Sequence, residues 1–143
     1  MRPQIAALLV AVVLAAIAAL HVYWGVRGEL GRSAALPEVE GRPVFVPTRV
    51  ACFAVATLLA IAVWVLLVGA GLLPDLGQRW LGVAGPIAVG VVLLARAVGD
   101  FRYVGFFKRV RGSRFATLDS RYFSPLCLLL GLGALWSVLG WDR

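Results

Sequence analysis

Residues that commonly carry chemistry are scarce in this sequence. Its 143 residues include two cysteines, one histidine and seven acidic residues. Cys52 and Cys127 do not form a CxxC pair, so the usual zinc and dithiol redox motifs are missing. A glycine-rich phosphate-binding loop is also missing. We therefore predict no metal site and no cofactor, and the sequence identifies no catalytic residue.

Acidic residues are too few to balance the basic ones, and the formal net charge is +7. Almost all arginine and lysine residues fall in two segments rather than along the whole chain. Such clustering is typical of the loops that orient a membrane protein. It does not match the patterns of nucleic-acid-binding domains, so no nucleic-acid partner is predicted.

Long runs without charge dominate what remains. Hydrophobic residues make up 62% of the chain, and the mean hydropathy is +0.93. Soluble domains contain about 45–50% apolar residues, and a membrane-spanning helix needs about 20. The runs predict spans at residues 4–26, 50–73, 80–100 and 124–141. The predicted fold is all-α: a single polytopic membrane domain over residues 1–143, folded as an antiparallel four-helix transmembrane bundle.

Helix boundaries follow from local signals. Thr48 is a candidate N-cap for the second helix, and Ser124 followed by Pro125 is a typical helix start. The third run has only 16 uncharged residues before Arg96, so we extend its helix to about Asp100. A re-entrant segment is the alternative there, and a cleaved signal peptide is the alternative for the first run.

The distribution of basic residues predicts the orientation. One side would hold three of them, Arg2, Arg79 and Arg143, and the other side would hold eleven. Since the richer side usually faces the cytoplasm, we predict cytoplasmic loops at about 27–47 and 101–123. Both termini would then lie outside the inner or plasma membrane.

The second of these loops interleaves aromatic and basic residues over positions 99–112. Aromatic rings can lie at headgroup level while basic side chains reach lipid phosphates. The candidate contacts to anionic lipid are Arg102, Lys108, Arg109 and Arg111. The alternative is that these residues only set the topology and anchor the loop at the interface.

Several stretches resemble a known family. They are the segment 99–112, Arg114 to Asp119, Tyr122 to Cys127, and His21 to Trp24, together with the loop around Pro37 to Phe45. The chain is similar to an uncharacterised bacterial family of small four-helix integral membrane proteins, domain of unknown function 3995. The resemblance implies a membrane architecture and transfers no activity.

One candidate binding site is predicted from how far its residues lie along their helices, and so how deep they lie in the membrane. His21 lies roughly 26 Å along the first helix and Arg96 roughly 24 Å along the third, so both approach the cytoplasmic boundary. The candidate ligand-binding residues are His21, Tyr23, Trp24, Arg96 and Asp100. The alternatives are an ion pair between Arg96 and Asp100, four residues apart, and a structural His21 bonded to a backbone carbonyl or a tyrosine.

Three functions remain open. The sequence favours binding of a lipid or amphipathic small molecule in a polar pocket of the cytoplasmic leaflet. The first alternative is an accessory or assembly subunit of a membrane complex, with homo-oligomerisation possible through small-residue stripes. The second is a membrane enzyme with His21 as acid or base, for which we find no accompanying nucleophile.

Overall fold

The described part of the chain consists of four long helices and one pair of short strands. The computed structural model of the protein describes residues 2–27, 35–39, 42–74 and 79–139. The first three long helices are α1 (Pro3–Arg27), α2 (Arg49–Gly69) and α3 (Leu81–Val98). The fourth is composite: α4 (Arg114–Leu118), a π-helical segment (Asp119–Phe123) and α5 (Ser124–Val138). Between α1 and α2, β1 (Glu38–Val39) pairs antiparallel with β2 (Arg42–Pro43).

The helices form a four-membered ring of contacts. α1 packs against α2 and α5, and α3 packs against the same two helices, so α1 and α3 lie across the bundle from each other. All four are long and apolar enough to cross a membrane, the fourth as Arg114–Val138. This confirms the predicted all-α, four-helix architecture and indicates a multi-pass membrane protein.

Apolar side chains point outward as well as inward. The core contains Leu14, Leu66 and Ala134, which are at most 1% exposed. Large apolar residues on the outer faces stay open, such as Leu58 and Val92 at 66% each. Water would penalise such faces, whereas lipid chains accept them. The exposure pattern is therefore that of helices surrounded by lipid.

Small residues bring neighbouring helices into close contact. A Cβ atom added to Gly131 of α5 would lie 3.1 Å from the carbonyl oxygen of Gly90 on α3. A Cβ atom added to Gly69 of α2 would lie 2.6 Å from the carbonyl oxygen of Gly82 on α3. Packing through small residues is how helices associate where water cannot drive them together. Small residues of α3 therefore pack within the bundle, against both α2 and α5.

One end of the bundle, where α1 and α3 finish and α2 and α4 begin, is called the basic end below. The predicted N-cap of α2 is confirmed, since the Thr48 hydroxyl accepts the Ala51 N–H at 3.2 Å. The fourth helix begins ten residues before the expected Ser124, because Ser113 caps it by accepting the Ala116 N–H at 3.0 Å. α3 ends at Val98, two residues before the expected Asp100, because Gly99 leaves the helix with a φ of 93°.

Candidate functional site

A buried carboxylate organises the basic end. Asp119 is fully buried, and its Oδ1 atom accepts a hydrogen bond from Arg96 Nη2 at 2.8 Å. Its Oδ2 atom accepts from Lys108 Nζ at 2.9 Å, from the Gly105 N–H at 2.8 Å and from Ser124 Oγ at 3.1 Å. Both oxygens are therefore bonded, and α3, the 99–113 loop and the fourth helix meet at one side chain.

Lys108 is the second member of this ion cluster. The residue is 2% exposed, and its Nζ atom donates to the Gly105 carbonyl, to Asp119 and to the Ser120 hydroxyl, at 2.8, 2.9 and 2.8 Å. A lysine ammonium has three N–H donors, so all of them are used. The predicted lipid contact of Lys108 is wrong, because its charge points into the protein to neutralise a buried carboxylate.

The π-helical segment explains how Ser124 reaches the cluster. In an α-helix, residues five apart are rotated by about 140° relative to each other, so their side chains diverge. Here the Ser124 N–H donates to the Asp119 carbonyl five residues earlier, which widens the turn. Ser124 Oγ can then donate to the Asp119 carboxylate. Such a segment also relieves the conflict of Pro125 with the preceding turn, since proline has no N–H and crowds the carbonyl four residues back.

The 99–113 loop folds back against the end of α3. The Phe106 and Phe107 N–H groups donate to the Ala97 and Val98 carbonyls at 2.9 and 3.5 Å. These two carbonyls belong to the last turn of α3, where carbonyl groups find no hydrogen-bond donor within their own helix. The loop thereby satisfies the helix end and delivers the Gly105 N–H to Asp119.

Asp100 caps the first turn of this loop. Its Oδ1 atom accepts the N–H groups of Arg102, Tyr103 and Val104 at 2.9, 2.7 and 2.9 Å. The expected ion pair of Arg96 with Asp100 is therefore wrong: α3 stops before Asp100, and Arg96 pairs with Asp119. Slight burial acts to raise the pKa of Asp100, but the backbone donors outweigh it and hold that pKa below its ordinary value of 3.8.

We expect Asp100→Ala to loosen the turn at residues 100–104, because three backbone donors lose their acceptor. Hydrogen exchange of the Arg102, Tyr103 and Val104 amides should become several-fold faster in detergent micelles. Asp100→Asn is the matched control, since its amide oxygen can accept the same bonds.

The pH dependence of this turn follows from the lowered pKa of Asp100. Stabilisation by the carboxylate is complete above the pKa of the unfolded chain and is lost as the pH falls through the lower folded pKa. The same amides should thus lose protection only under acid conditions, below about pH 4. Unchanged exchange in Asp100→Ala at neutral pH would contradict this role.

His21 forms a separate group on α1. Its Nδ1 atom donates to the Ile17 carbonyl at 2.8 Å, and its ring meets Trp24 edge-on with centroids 5.0 Å apart. This confirms the backbone bond predicted for a structural histidine. Tyr23 is 38% exposed. Among the described residues, His21 contacts Trp24 and Arg96 pairs with Asp119. α1, which carries His21, and α3, which carries Arg96, lie across the bundle from each other.

The outer side of the 99–113 loop is aromatic and basic. Phe101 and Phe107 are 57% and 61% exposed, with their ring centroids 6.3 Å apart. Arg102, Arg109 and Arg111 are also exposed, and Arg111 Nε donates to the Lys108 carbonyl at 3.2 Å. We call these five residues the loop surface.

Sequence reasoning missed Asp119 as the centre of the cluster. One signal was present: Asp119 is the only acidic residue between positions 101 and 141. A second signal was composition, since Lys108 is the single lysine beside thirteen arginines. A compact ammonium with three donors suits three converging acceptors better than a planar guanidinium does.

Comparison with known proteins gives a family and no activity. A family model described as Protein of unknown function (DUF3995) matches residues 5–134. No curated protein and no solved structure matches the chain. The matched range contains Asp119, Lys108, Arg96 and the loop surface. With nearly its whole length matched, the chain belongs to the family of domain of unknown function 3995.

Proposed function

We propose that this protein is an integral membrane protein that binds anionic phospholipid through the loop surface. The carrying observation is that three exposed arginines and two exposed phenylalanines lie on a loop that the Asp119–Lys108 ion pair fixes to the bundle. A surface that is already ordered loses little conformational entropy when a ligand binds.

The chemistry of the loop surface suits a membrane interface. Arginine forms planar, bidentate contacts with phosphate oxygens, and aromatic rings lie well at headgroup depth. A basic side chain near an anionic leaflet contributes about 1 kcal/mol, so three arginines together contribute about 3 kcal/mol. That sum corresponds to a preference for anionic lipid of roughly 100-fold.

Charge distribution supports a cytoplasmic location for the basic end. The loop surface joins the basic residues around the start of α2 and α4, such as Arg49 and Arg114, at one end of the bundle. By the positive-inside rule that end faces the cytoplasm, where anionic lipids are exposed. The membrane is then the inner or plasma membrane.

The hydrogen bonds of Lys108 argue against catalysis by a serine–lysine pair. Lys108 and Ser120 lie 2.8 Å apart, a distance typical of a serine–lysine catalytic pair. A lysine that acts as a base needs a free lone pair, whereas this ammonium donates three hydrogen bonds. Lys108 therefore serves to hold the loop rather than to activate Ser120.

The test is lipid retention by the full-length protein in neutral detergent, measured by native mass spectrometry. With phosphatidylglycerol and phosphatidylcholine offered in equal amounts, the unmodified protein should prefer phosphatidylglycerol. Replacing Arg102, Arg109 and Arg111 by glutamine should reduce that preference by up to about 100-fold. A second polypeptide retained in the same spectra would instead favour the accessory-subunit alternative.

The matched control replaces three arginines predicted at the opposite side, Arg2, Arg79 and Arg143, by glutamine. It removes the same charge and should leave the preference unchanged. An equal loss in both variants, or in neither, would contradict binding at the loop surface.

A further inference from the structure

We propose that Arg96 binds a phosphate group at the basic end, between α3 and the fourth helix. The inference rests on the proposed function and names one specific ligand contact within it. It starts from the charge of the ion cluster, in which Arg96 and Lys108 carry one positive charge each and Asp119 carries one negative charge. The cluster therefore has an excess of one positive charge.

The excess charge resides on Arg96. Lys108 has used its three donors, and Asp119 accepts bonds at both oxygens. Arg96 donates a hydrogen bond to Asp119 through Nη2, but its buried Nη1 atom has no hydrogen-bond partner among the described residues. A buried donor without an acceptor costs free energy, and a charged one costs more than a neutral one.

The nearest acid in sequence does not supply the missing acceptor. Asp100 uses its Oδ1 atom to bind the backbone of its own turn. One third of the Arg96 side chain is exposed, which gives a ligand an approach to this residue. Because Nη1 itself is covered, the neighbouring side chains must shift when the ligand enters.

Depth and shape favour phosphate as the anion. Arg96 lies two residues before the end of α3, so it is about 3 Å along the axis from the helix end. That position is near the headgroup phosphates of a surrounding bilayer. A guanidinium with one side held by Asp119 can present Nη1 to a phosphate oxygen as a charge-assisted hydrogen bond. The phosphate can be that of a phospholipid or free inorganic phosphate.

The experiment measures the first ligand bound by delipidated, full-length protein in neutral detergent. One arm titrates phosphatidylglycerol and the other titrates inorganic phosphate, both followed by native mass spectrometry. The variant is Arg96→Lys, which keeps the positive charge and an ion pair to Asp119 but loses the second guanidinium nitrogen. Loss of one charge-assisted bond predicts about ten-fold or more weaker binding of the first ligand.

Two comparisons make the result decisive. Arg102→Gln with Arg109→Gln and Arg111→Gln tests the loop surface separately, and circular dichroism verifies that each variant is folded. Weaker first-ligand binding in Arg96→Lys supports the proposal, and the arm in which it occurs identifies lipid or free phosphate as the source. Unchanged first-ligand affinity in both arms for folded Arg96→Lys would overturn it.

The proposed function can fail independently of this inference. If the loop-surface variant keeps its lipid preference while Arg96→Lys binds weakly, the phosphate contact stands and the loop surface does not. If the loop-surface variant loses its preference and Arg96→Lys binds normally, anionic-lipid binding stands without the specific contact.

Discussion

Asp119→Ala is expected to lower the free energy of unfolding by about 3–5 kcal/mol, the usual cost of breaking a buried ion pair by removing one partner. Lys108 would be left as a buried ammonium, and the Gly105 N–H and Ser124 hydroxyl would lose their common acceptor. Chemical unfolding in mixed micelles, followed by tryptophan fluorescence, measures the loss.

Two further variants separate this effect from a general loss of charge. Asp100→Ala removes an exposed carboxylate from the same end and should cost much less. Adding Lys108→Met to Asp119→Ala should cost less than the sum of the two single changes, since no ammonium then remains unpaired. A loss below about 1 kcal/mol in Asp119→Ala would contradict the central role of the carboxylate.

Gly99→Ala is expected to open the 99–113 loop. Gly99 has a φ of 93°, in the region that side chains disfavour, and an added Cβ would overlap the carbonyl oxygen of Val104. The loop backbone would have to move away from α3, which breaks the bonds from Phe106 and Phe107. Trypsin cleavage within the loop, for example after Arg102, should accelerate by at least an order of magnitude.

Gly112→Ala is the matched control for backbone conformation. Gly112 also has a positive φ, of 124°, but an added Cβ there would meet no atom within 4 Å. This variant should carry only the conformational penalty, about 1–2 kcal/mol, and keep the loop closed. Equal cleavage rates in the two variants would show that the contact of Gly99 with Val104 is not what holds the loop.

The long helices were predictable because each depends on local composition. Runs without charge predicted α1, α2 and most of α3, and Thr48 was a candidate cap because it follows Pro47 just before the second run. The start of the fourth helix was not predictable from hydropathy. Arg114 to Tyr122 is polar enough to read as a loop, yet it is helical because Ser113 caps it and Phe115 and Ala116 are buried.

The pairing within the site was harder to predict than the helices. Arg96 and Asp119 are 23 positions apart, so only the packed fold brings them together. Helical spacing suggested Asp100 instead, but that spacing applies only within a helix, and α3 ends at Val98. The position of His21 on α1 and its backbone bond, by contrast, needed no information beyond one helical turn.

The burial of Lys108 makes the basic end chemically silent toward amine reagents. Lys108 carries the only side-chain amine in the sequence, and 2% of the residue's surface is accessible. Acylating reagents such as succinimidyl esters need an uncharged, uncovered amine, so Lys108 can react only while the 99–113 segment is detached from the bundle. The rate of acylation at Lys108 would therefore measure how often the loop opens, without any engineered probe.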